Sequence, residues 1–329
     1  MKIATYRPIP AHSPDPSIGA VVDGTVVDLR YAYARFVREV DGEERAYELA
    51  DARIGRDMLA FLAGGERTID AARHAVDLAL AAGDGATGLC GERLAYPLAE
   101  VRLLAPIPRP GKILAAGKNY RDHVSEGAAA EGKVAEIQPF PRGFVKVASA
   151  VVGPDDPVEL THVTTQLDYE VELAVVIGRR ARFVPRGRAY DVVAGYTILN
   201  DVSARDIQLA EAKYGNHMIG KNMDTLSPMG PWIVLRDEIP DPMDLDLSLS
   251  INGEVRQSSN TRELIHDIPA MVERWSWGTL EPGDVIATGT PAGVALGGKF
   301  PYLKAGDVME CYVEGIGRLR NAVVGEDAP

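Results

Sequence analysis

Asp168, Glu170 and Glu172 occupy alternate positions of an otherwise apolar segment, residues 166–178. Because successive side chains of a β-strand point to opposite faces, these three carboxylates would share one face of a strand. Taking an ionised carboxylate out of water costs several kcal/mol unless a positive charge compensates for it. Two interpretations fit the pattern: a bound cation, or an edge strand whose wet face carries acids for solubility.

A further acid favours the cation. Asp201 ends a second β-branched and apolar run, residues 195–201, which we interpret as a neighbouring strand. Two glutamates from one strand and an aspartate from the end of another make an oxygen-only site suited to magnesium, manganese or calcium. Zinc is disfavoured, because Cys90 and Cys311 are far apart and the six histidines include no His-x-x-x-His pair.

A candidate general base lies in residues 117–127, after a strand-like run. If Asn119 or Asp122 caps a helical turn there, His123 and Glu126 lie three residues apart on the same face. A carboxylate beside an imidazole orients the ring and raises its basicity, as a base that activates water near neutral pH requires. A surface pair is the common alternative for His-x-x-Glu.

Two loops rich in glycine and proline carry further polar candidates. Lys221, within residues 219–231, is either a surface cation or a fixed charge that stabilises a developing oxyanion. Thr290, within residues 287–294, either belongs to a plain turn or offers a hydroxyl and an amide to a substrate carboxylate.

The composition sets the class of protein that must hold these residues. The chain has 329 residues, enough for one large domain or two unequal ones, with 46% hydrophobic and 25% charged residues. A net charge of -12 argues against nucleic-acid or acidic-membrane partners, which need a basic face. The amino terminus lacks the apolar stretch of a signal peptide, and no run is long enough to span a bilayer, so we expect a cytoplasmic protein.

Residues 1–105 are predicted to form a small N-terminal domain that combines strands and helices. An Asp-Gly pair within residues 18–28 predicts a β-hairpin, and residues 58–62 and 68–82 have helical apolar spacing. The proline-rich segment 106–111 is the clearest linker, because its prolines cannot continue a helix or a central strand.

Beyond the linker, short β runs dominate, and glycine or proline turns separate them. Two helices are predicted, over residues 203–212 and 261–275. Many short strands with few helices indicate a mainly β fold: a curled sheet, a sandwich or a barrel-like structure.

Taken in order, these segments closely resemble the fumarylacetoacetate hydrolase family across roughly residues 109–320. The segments that carry the resemblance are 117–123, 169–173, 200–206, 220–221, 227–228, 252–253 and 288–294. The resemblance implies an α+β protein that is mainly β: a catalytic domain built on a rolled mixed β-sheet over residues 109–329, with the smaller domain preceding it. It also implies a homodimer.

The resemblance further implies Mg2+ or Mn2+, with Ca2+ possible, bound by the three carboxylates already singled out: Glu170, Glu172 and Asp201. Arg205, Gln208 and Thr290 would contact a 2-oxo or 2,4-diketo acid. Water deprotonated by His123, with Glu126 holding the imidazole, would attack the carbonyl farther from the carboxylate. Lys221, with Gln208 or Arg205, would stabilise the oxyanion. The expected activity is metal-dependent hydrolysis of an acylpyruvate to a pyruvate-like acid and a carboxylic acid, as in aromatic catabolism.

Two alternatives stay open. A decarboxylase, isomerase or lyase acting on a related 2-oxo acid would use the same metal scaffold, which does not distinguish these activities. A non-catalytic protein would use the cation only to stabilise its fold. The sequence assigns no certain place to Asp122 or Asp168 around the metal, and it predicts a lid over residues 126–139.

Overall fold

The computed structural model describes residues 1–10, 15–83, 85–130 and 134–326. The β-strands are β1 (Lys2–Pro8), β2 (Ser17–Val22), β3 (Thr25–Asp28), β4 (Ala95–Pro97), β5 (Val101–Leu103), β6 (Ile113–Ala116), β7 (Gly143–Lys146), β8 (Val151–Val152), β9 (Val158–Leu160), β10 (Leu167–Asp168), β11 (Val171–Ile177), β12 (Val193–Asn200), β13 (Ser203–Ala204), β14 (Ser227–Leu235), β15 (Asp246–Ile251), β16 (Glu254–Asn260), β17 (Val285–Ala287), β18 (Val308–Val313) and β19 (Gly317–Gly325).

The α-helices are α1 (Leu29–Glu39), α2 (Ala46–Arg53), α3 (Met58–Ala63), α4 (Glu66–Ala82), α5 (Arg121–Ala130), α6 (Arg205–Ala212), α7 (Ile219–Asn222) and α8 (Ile268–Trp275). Within the described ranges, no helix has both the length and the apolar character that a membrane span requires.

One large mixed sheet organises the molecule. Its 12 strands follow the order β4-β3-β2-β1-β14-β12-β11-β17-β6-β7, with β5 on β1 and β8 on β14. A second sheet of 5 strands has the order β16-β15-β18-β19-β9, and β10 pairs with β13. Neither of the larger sheets closes on itself among the described strands, so the α+β prediction with a mixed, mainly β architecture is confirmed and the barrel-like alternative is not.

The N-terminal segment contributes strands to the large sheet. Asp23 and Gly24 adopt positive φ angles of 44° and 79°, which form the predicted tight turn between β2 and β3. Strand β1 then pairs with β14, with Lys2 opposite Val234. Residues from both parts of the chain share one apolar core. The two predicted domains therefore share one sheet and one core, and the boundary after residue 105 stays a prediction.

Two helices differ from their predicted bounds. The helix predicted over 261–275 begins at Ile268, because Asp267 caps it by accepting a hydrogen bond from the amide of Ala270. The helix predicted over 203–212 begins at Arg205, without a side-chain cap. Ser203 lies in β13 instead, where its hydroxyl donates to the carbonyl of Asp201. In both segments the residue predicted to begin the helix lies outside it in the structure.

The central pair of strands determines where the acids lie. β11 and β12 are antiparallel, with Val171 opposite Asn200. Glu170 and Asp201 therefore come immediately beyond the end of the pairing, and the Asp201 amide donates to the Glu170 carbonyl at 2.9 Å. The regular strand is interrupted at residues 169–170, so the acids predicted on one continuous strand lie on two strands and the residues between them.

Candidate active site

Three carboxylates meet at this end of β11 and β12. Glu170, Glu172 and Asp201 are all at most 5% exposed. Their ligand oxygens lie within 4.8 Å of one another. An all-oxygen set at this spacing fits a hard divalent cation such as magnesium or manganese.

Two buried lysines contact the same cluster. The Nζ atom of Lys221 donates to Glu170 Oε2 and to Asp201 Oδ2, each at 2.7 Å. The Nζ atom of Lys146 donates to the other Asp201 oxygen, at 2.5 Å. Burial alone would lower the pKa of Lys221, but the Asp201 and Glu170 carboxylates outweigh it and raise that pKa. Lys221 therefore holds its proton more tightly than an ordinary lysine, whereas burial lowers the pKa of Lys146 despite its aspartate.

A buried arginine connects the cluster to its surroundings. The Arg205 guanidinium donates to Asp168 Oδ2 at 2.8 Å, to Glu170 Oε1 at 2.5 Å and to Gln208 Oε1 at 2.9 Å. Burial would raise the pKa of Glu170, but the charges of Arg205 and Lys221 hold it well below its usual range. Glu170 is therefore ionised, with both oxygens engaged by cations.

Glu172 has the opposite electrostatic environment. Burial raises its pKa, and repulsion from Asp201 and then Glu170 raises it further. With every group ionised, the cluster would carry one more negative than positive charge, because the carboxylates of Asp168, Glu170, Glu172 and Asp201 face the cations Lys146, Lys221 and Arg205. A divalent cation would relieve this repulsion, so the donor set fits the metal by both chemistry and charge.

A glycine-rich loop supplies backbone donors to the acids. The amide of Gly289 donates to Glu172 at 2.8 Å. Gly289 has φ +98°, and a side chain there would also meet Asn119 at 2.9 Å, so the close approach requires glycine. Further along the loop, the amides of Ala295 and Leu296 donate to Asp168. Asp168 is thus fully occupied by Arg205 and by these amides, which makes it a support for the ligands.

His123 and Glu126 lie on α5, as predicted, but they are not hydrogen-bonded to each other. Their closest atoms, Nδ1 and Oε2, are 3.6 Å apart. Both oxygens of Glu126 instead accept the amide of Gly293, at 3.1 Å each, and His123 Nδ1 has no partner among the residues that the structure describes. Asn119 does not cap the helix, because its Oδ1 atom accepts from the amide of His266 and its Nδ2 atom donates to the carbonyls of His266 and Thr288.

The two other predicted contact residues are partly committed to the protein. The Thr290 hydroxyl donates to the Val171 carbonyl at 2.9 Å, which leaves its backbone amide as the group for a ligand. The Oε1 atom of Gln208 accepts from Arg205, so its amide nitrogen is left to donate.

These groups surround a cavity of about 450 Å³, within the usual range for small-molecule sites. Seven of the nine predicted site residues line it: His123, Glu170, Glu172, Arg205, Gln208, Lys221 and Thr290. Asp201 and Glu126 do not line the cavity: Asp201 is buried within the carboxylate cluster, and Glu126 accepts from the amide of Gly293. Asp122 is exposed and makes no contact with the cluster. Residues 131–133 of the predicted lid lie outside the described part of the chain.

Lys146 is the functional residue that sequence reasoning missed. It ends the short strand β7, and its side chain is fully buried against Asp201. A lysine at the end of a strand is usually a solvated edge residue. The only local signal was its place directly after the apolar pair Phe144-Val145.

Comparison with known proteins gives a consistent result. Residues 112–324 match the family model described as fumarylacetoacetate (FAA) hydrolase, C-terminal. The chain is 39% identical over 311 residues to the oxaloacetate tautomerase YisK of Bacillus subtilis, covering 93% of this chain and 95% of that protein.

Two solved structures are also similar. One is a maleylpyruvate hydrolase from Sphingobium sp. SYK-6 in complex with manganese (II) ion and pyruvate, with 31% identity, a TM-score of 0.70 and coverage of 99% of this chain and 100% of that one. The other is a 2-hydroxyhepta-2,4-diene-1,7-dioate isomerase from Mycobacterium marinum, with 42% identity, a TM-score of 0.61 and coverage of 71% and 82% respectively.

Proposed function

Because the chain belongs to the fumarylacetoacetate hydrolase family, we propose that it is a metal-dependent tautomerase of a short 2-oxo acid of the oxaloacetate type. The observation that carries this proposal is the pairing of a buried carboxylate triad with the ammonium of Lys221, in a cavity that also holds His123, whose Nδ1 atom has no hydrogen-bond partner among the described residues. Keto–enol interconversion needs a stabilised oxyanion and one group that moves a proton.

Glu170, Glu172 and Asp201 would hold the divalent cation, which when bound supplies a Lewis acid for the carboxylate and 2-oxo oxygens of the substrate. Lys221 keeps its proton because two carboxylates raise its pKa. Its ammonium therefore stabilises negative charge as it develops on the 2-oxo oxygen.

His123 moves the proton. In the keto-to-enol direction its imidazole takes a proton from the carbon next to the 2-oxo group, and the electron pair of that C–H bond shifts to the oxygen. The imidazolium of His123 then gives this proton to the oxygen, which completes the enol, and the reverse sequence restores the ketone. The Gln208 amide nitrogen, oriented by Arg205, supplies a hydrogen bond to the substrate. No step requires an activated water molecule.

The comparisons support this choice. The chain is 39% identical to the Bacillus tautomerase and 31% identical to the hydrolase structure, and both matches extend over nearly the whole of both chains. The local geometry also supports it, because Glu126 is bonded to Gly293 and does not orient His123 for attack by water.

The test is the decay of the enol absorbance of oxaloacetate, with metal-stripped protein before and after Mg2+ or Mn2+ is added. We expect catalysis only with metal. His123→Asn should lower kcat about 10²–10⁴-fold and leave Mn2+ affinity unchanged. His162→Asn is the matched control, since His162 is exposed and remote from the cavity. Full activity in His123→Asn would exclude the proposed proton transfer.

Hydrolysis of an acylpyruvate is the second candidate. It is favoured by the 3.6 Å separation of His123 and Glu126, which a rotation of the carboxylate converts into the base predicted from the sequence. Release of pyruvate from acetylpyruvate or fumarylpyruvate, lost in Glu126→Gln, would establish the hydrolase. Retained hydrolysis in His123→Ala would contradict it. Carbon dioxide release from oxaloacetate would instead indicate a decarboxylase.

Two broader predictions belong with this proposal. The family resemblance predicts a homodimer, and the composition predicts a cytoplasmic location. Light scattering at several concentrations tests the first, and fractionation of the source cells tests the second.

A further inference from the structure

Two basic residues stand together at the edge of the cavity. Strands β6 and β7 pair antiparallel with Ala116 opposite Gly143, and the amide of Gly117 donates to the Arg142 carbonyl at 3.0 Å. Lys118 and Arg142 therefore leave the same end of this strand pair, and both line the cavity. Lys118 has φ 55°, a left-handed conformation that lysine rarely adopts.

Neither residue is neutralised by a carboxylate in the described part of the chain. Across the ranges that the structure describes, no carboxylate forms an ion pair with Lys118 or Arg142, although most other exposed arginines are paired. Both side chains are exposed. Unpaired cations at the edge of a concave site raise the local concentration of anions and speed their entry.

A histidine completes this edge. His217 lines the same cavity, and its Nδ1 atom is buried without a partner in the described structure. Burial lowers the pKa of His217, and the charges of Lys221 and Arg142 lower it further. Glu211 opposes this effect, but its two oxygens accept the amides of Ile219 and Gly220.

The positive edge and the metal cluster are close enough for one small molecule to reach both. Phe144 is close to a residue of each group: the Lys221 Nζ atom is 5.1 Å from its ring centre, and the His217 ring centre is 6.1 Å from it. The Lys221 ammonium and the centre of the His217 ring are therefore no farther apart than the sum of these two distances. A short, extended diacid spans that distance.

We propose that Lys118, Arg142 and His217 form a second carboxylate-binding subsite, so that the protein selects 2-oxo dicarboxylates over 2-oxo monocarboxylates. The inference rests on the proposed function for the position of the first carboxylate. At the far end, the guanidinium of Arg142 and the ammonium of Lys118 bind the second carboxylate by charge-assisted hydrogen bonds. The unpartnered His217 nitrogen contributes a further polar contact at the cavity wall.

The experiment compares acids of equal chain length that differ by one carboxylate. Calorimetry with Mg2+-loaded protein measures the Kd of 2-oxoglutarate and 2-oxopentanoate, and nuclear magnetic resonance follows deuterium exchange next to the 2-oxo group of each. The variants are Arg142→Gln and the double change with Lys118→Asn, since asparagine tolerates positive φ. Arg67→Gln is the matched control, because Arg67 is an exposed arginine on α4 with no ion pair to a described residue.

We expect the wild-type protein and the control to bind the diacid about tenfold more tightly, the worth of one charged hydrogen bond. Arg142→Gln should reduce this preference and the double variant should abolish it, with little change for the monoacid. Added salt should weaken the preference in the wild type. A preference that persists in the double variant, or failure of the wild type to bind the diacid, overturns the subsite.

The same measurements separate this inference from the proposed function. Absence of deuterium exchange for both acids contradicts the tautomerase proposal. If the wild-type protein still binds the diacid more tightly and the double variant loses that preference, the subsite is supported even though the tautomerase proposal is wrong.

Discussion

Two buried carboxylates, Asp28 near the N-terminal helices and Glu172 in the metal cluster, illustrate two uses of the same chemical group. Asp28 is 2% exposed and Glu172 is 1% exposed, and burial raises the pKa of both. Asp28 has a partner for each oxygen, since it accepts from the Tyr6 hydroxyl at 2.7 Å and from the Tyr31 amide at 3.0 Å.

The surroundings of Glu172 differ, because hydrogen bonds alone do not account for its burial. It accepts the amide of Gly289, but the next largest influences on its pKa are repulsion from Asp201 and Glu170. Asp28 therefore stabilises a fold by capping α1, whereas Glu172 belongs to an arrangement that a cation completes. A buried acid indicates a metal site when its neighbours are other acids, not when its oxygens are already satisfied.

The sharpest test of this comparison is Glu172→Gln. It removes one metal ligand and one source of repulsion, while the glutamine oxygen can still accept from Gly289. We expect Mn2+ affinity to fall at least ~100-fold, beyond the usual effect of changing a group that only supports a ligand. The melting temperature of the metal-free protein should hold or rise. Titration calorimetry and thermal unfolding check both, and unchanged Mn2+ affinity would remove Glu172 from the site.

Lys146→Met tests whether the cluster depends on its buried cations. Removing one partner of a buried ion pair costs about 3–5 kcal/mol, because the other charge is left less compensated. We expect this loss in urea unfolding, together with a ~10–100-fold loss of Mn2+ affinity, because Lys146 positions Asp201. Lys112→Met breaks a similar pair with buried Asp284 and should lower stability alone. Equal Mn2+ affinity in both variants would contradict the positioning role.

Asp28→Ala probes the other side of the comparison. It removes the N-cap of α1 and leaves the Tyr6 hydroxyl, which lies in a buried cluster, without its acceptor. The expected loss of unfolding free energy is about 1–3 kcal/mol. Mn2+ affinity should equal that of the wild type. A change in metal binding would show that the two regions are coupled.

The smallest expected effect concerns pH. The folded pKa of Asp28 is raised from its ordinary 3.8, so the folded state binds this proton more tightly than the unfolded state. The resulting stability is fully present below pH 3.8 and is lost as the pH rises to the raised folded value. Asp28→Asn cannot titrate, so the stability of the variant relative to the wild type should increase across that window. Parallel pH profiles of the two proteins would contradict this.

The sequence was sufficient to predict the metal cluster because its signal is local and chemical. Alternating acids in an apolar run, with Asp201 at the end of a neighbouring run, define three oxygens near one strand end. The break of the strand at residues 169–170 did not change this outcome, because the pairing of β11 with β12 brings Glu170 and Asp201 together.

What could not be predicted depends on partners far away in the sequence. Lys146 meets Asp201 across 55 residues, and Glu126 meets the amide of Gly293 across 167 residues. No local pattern at Glu126 distinguishes a carboxylate that orients His123 from one that accepts a loop amide. Helix starts at Arg205 and Ile268 were misplaced for a related reason, since capping residues can serve sheets and loops as well.

The pairing of β1 with β14 has a consequence for how the protein forms in the cell. Lys2 leaves the ribosome long before its partner Val234 is made, because more than 200 residues separate them. Contacts of such long sequence separation slow folding, because a large loop must close before they form. During synthesis, the edge of β1 that will pair with β14 therefore remains unpaired. In this period it can pair with a wrong strand or bind a chaperone.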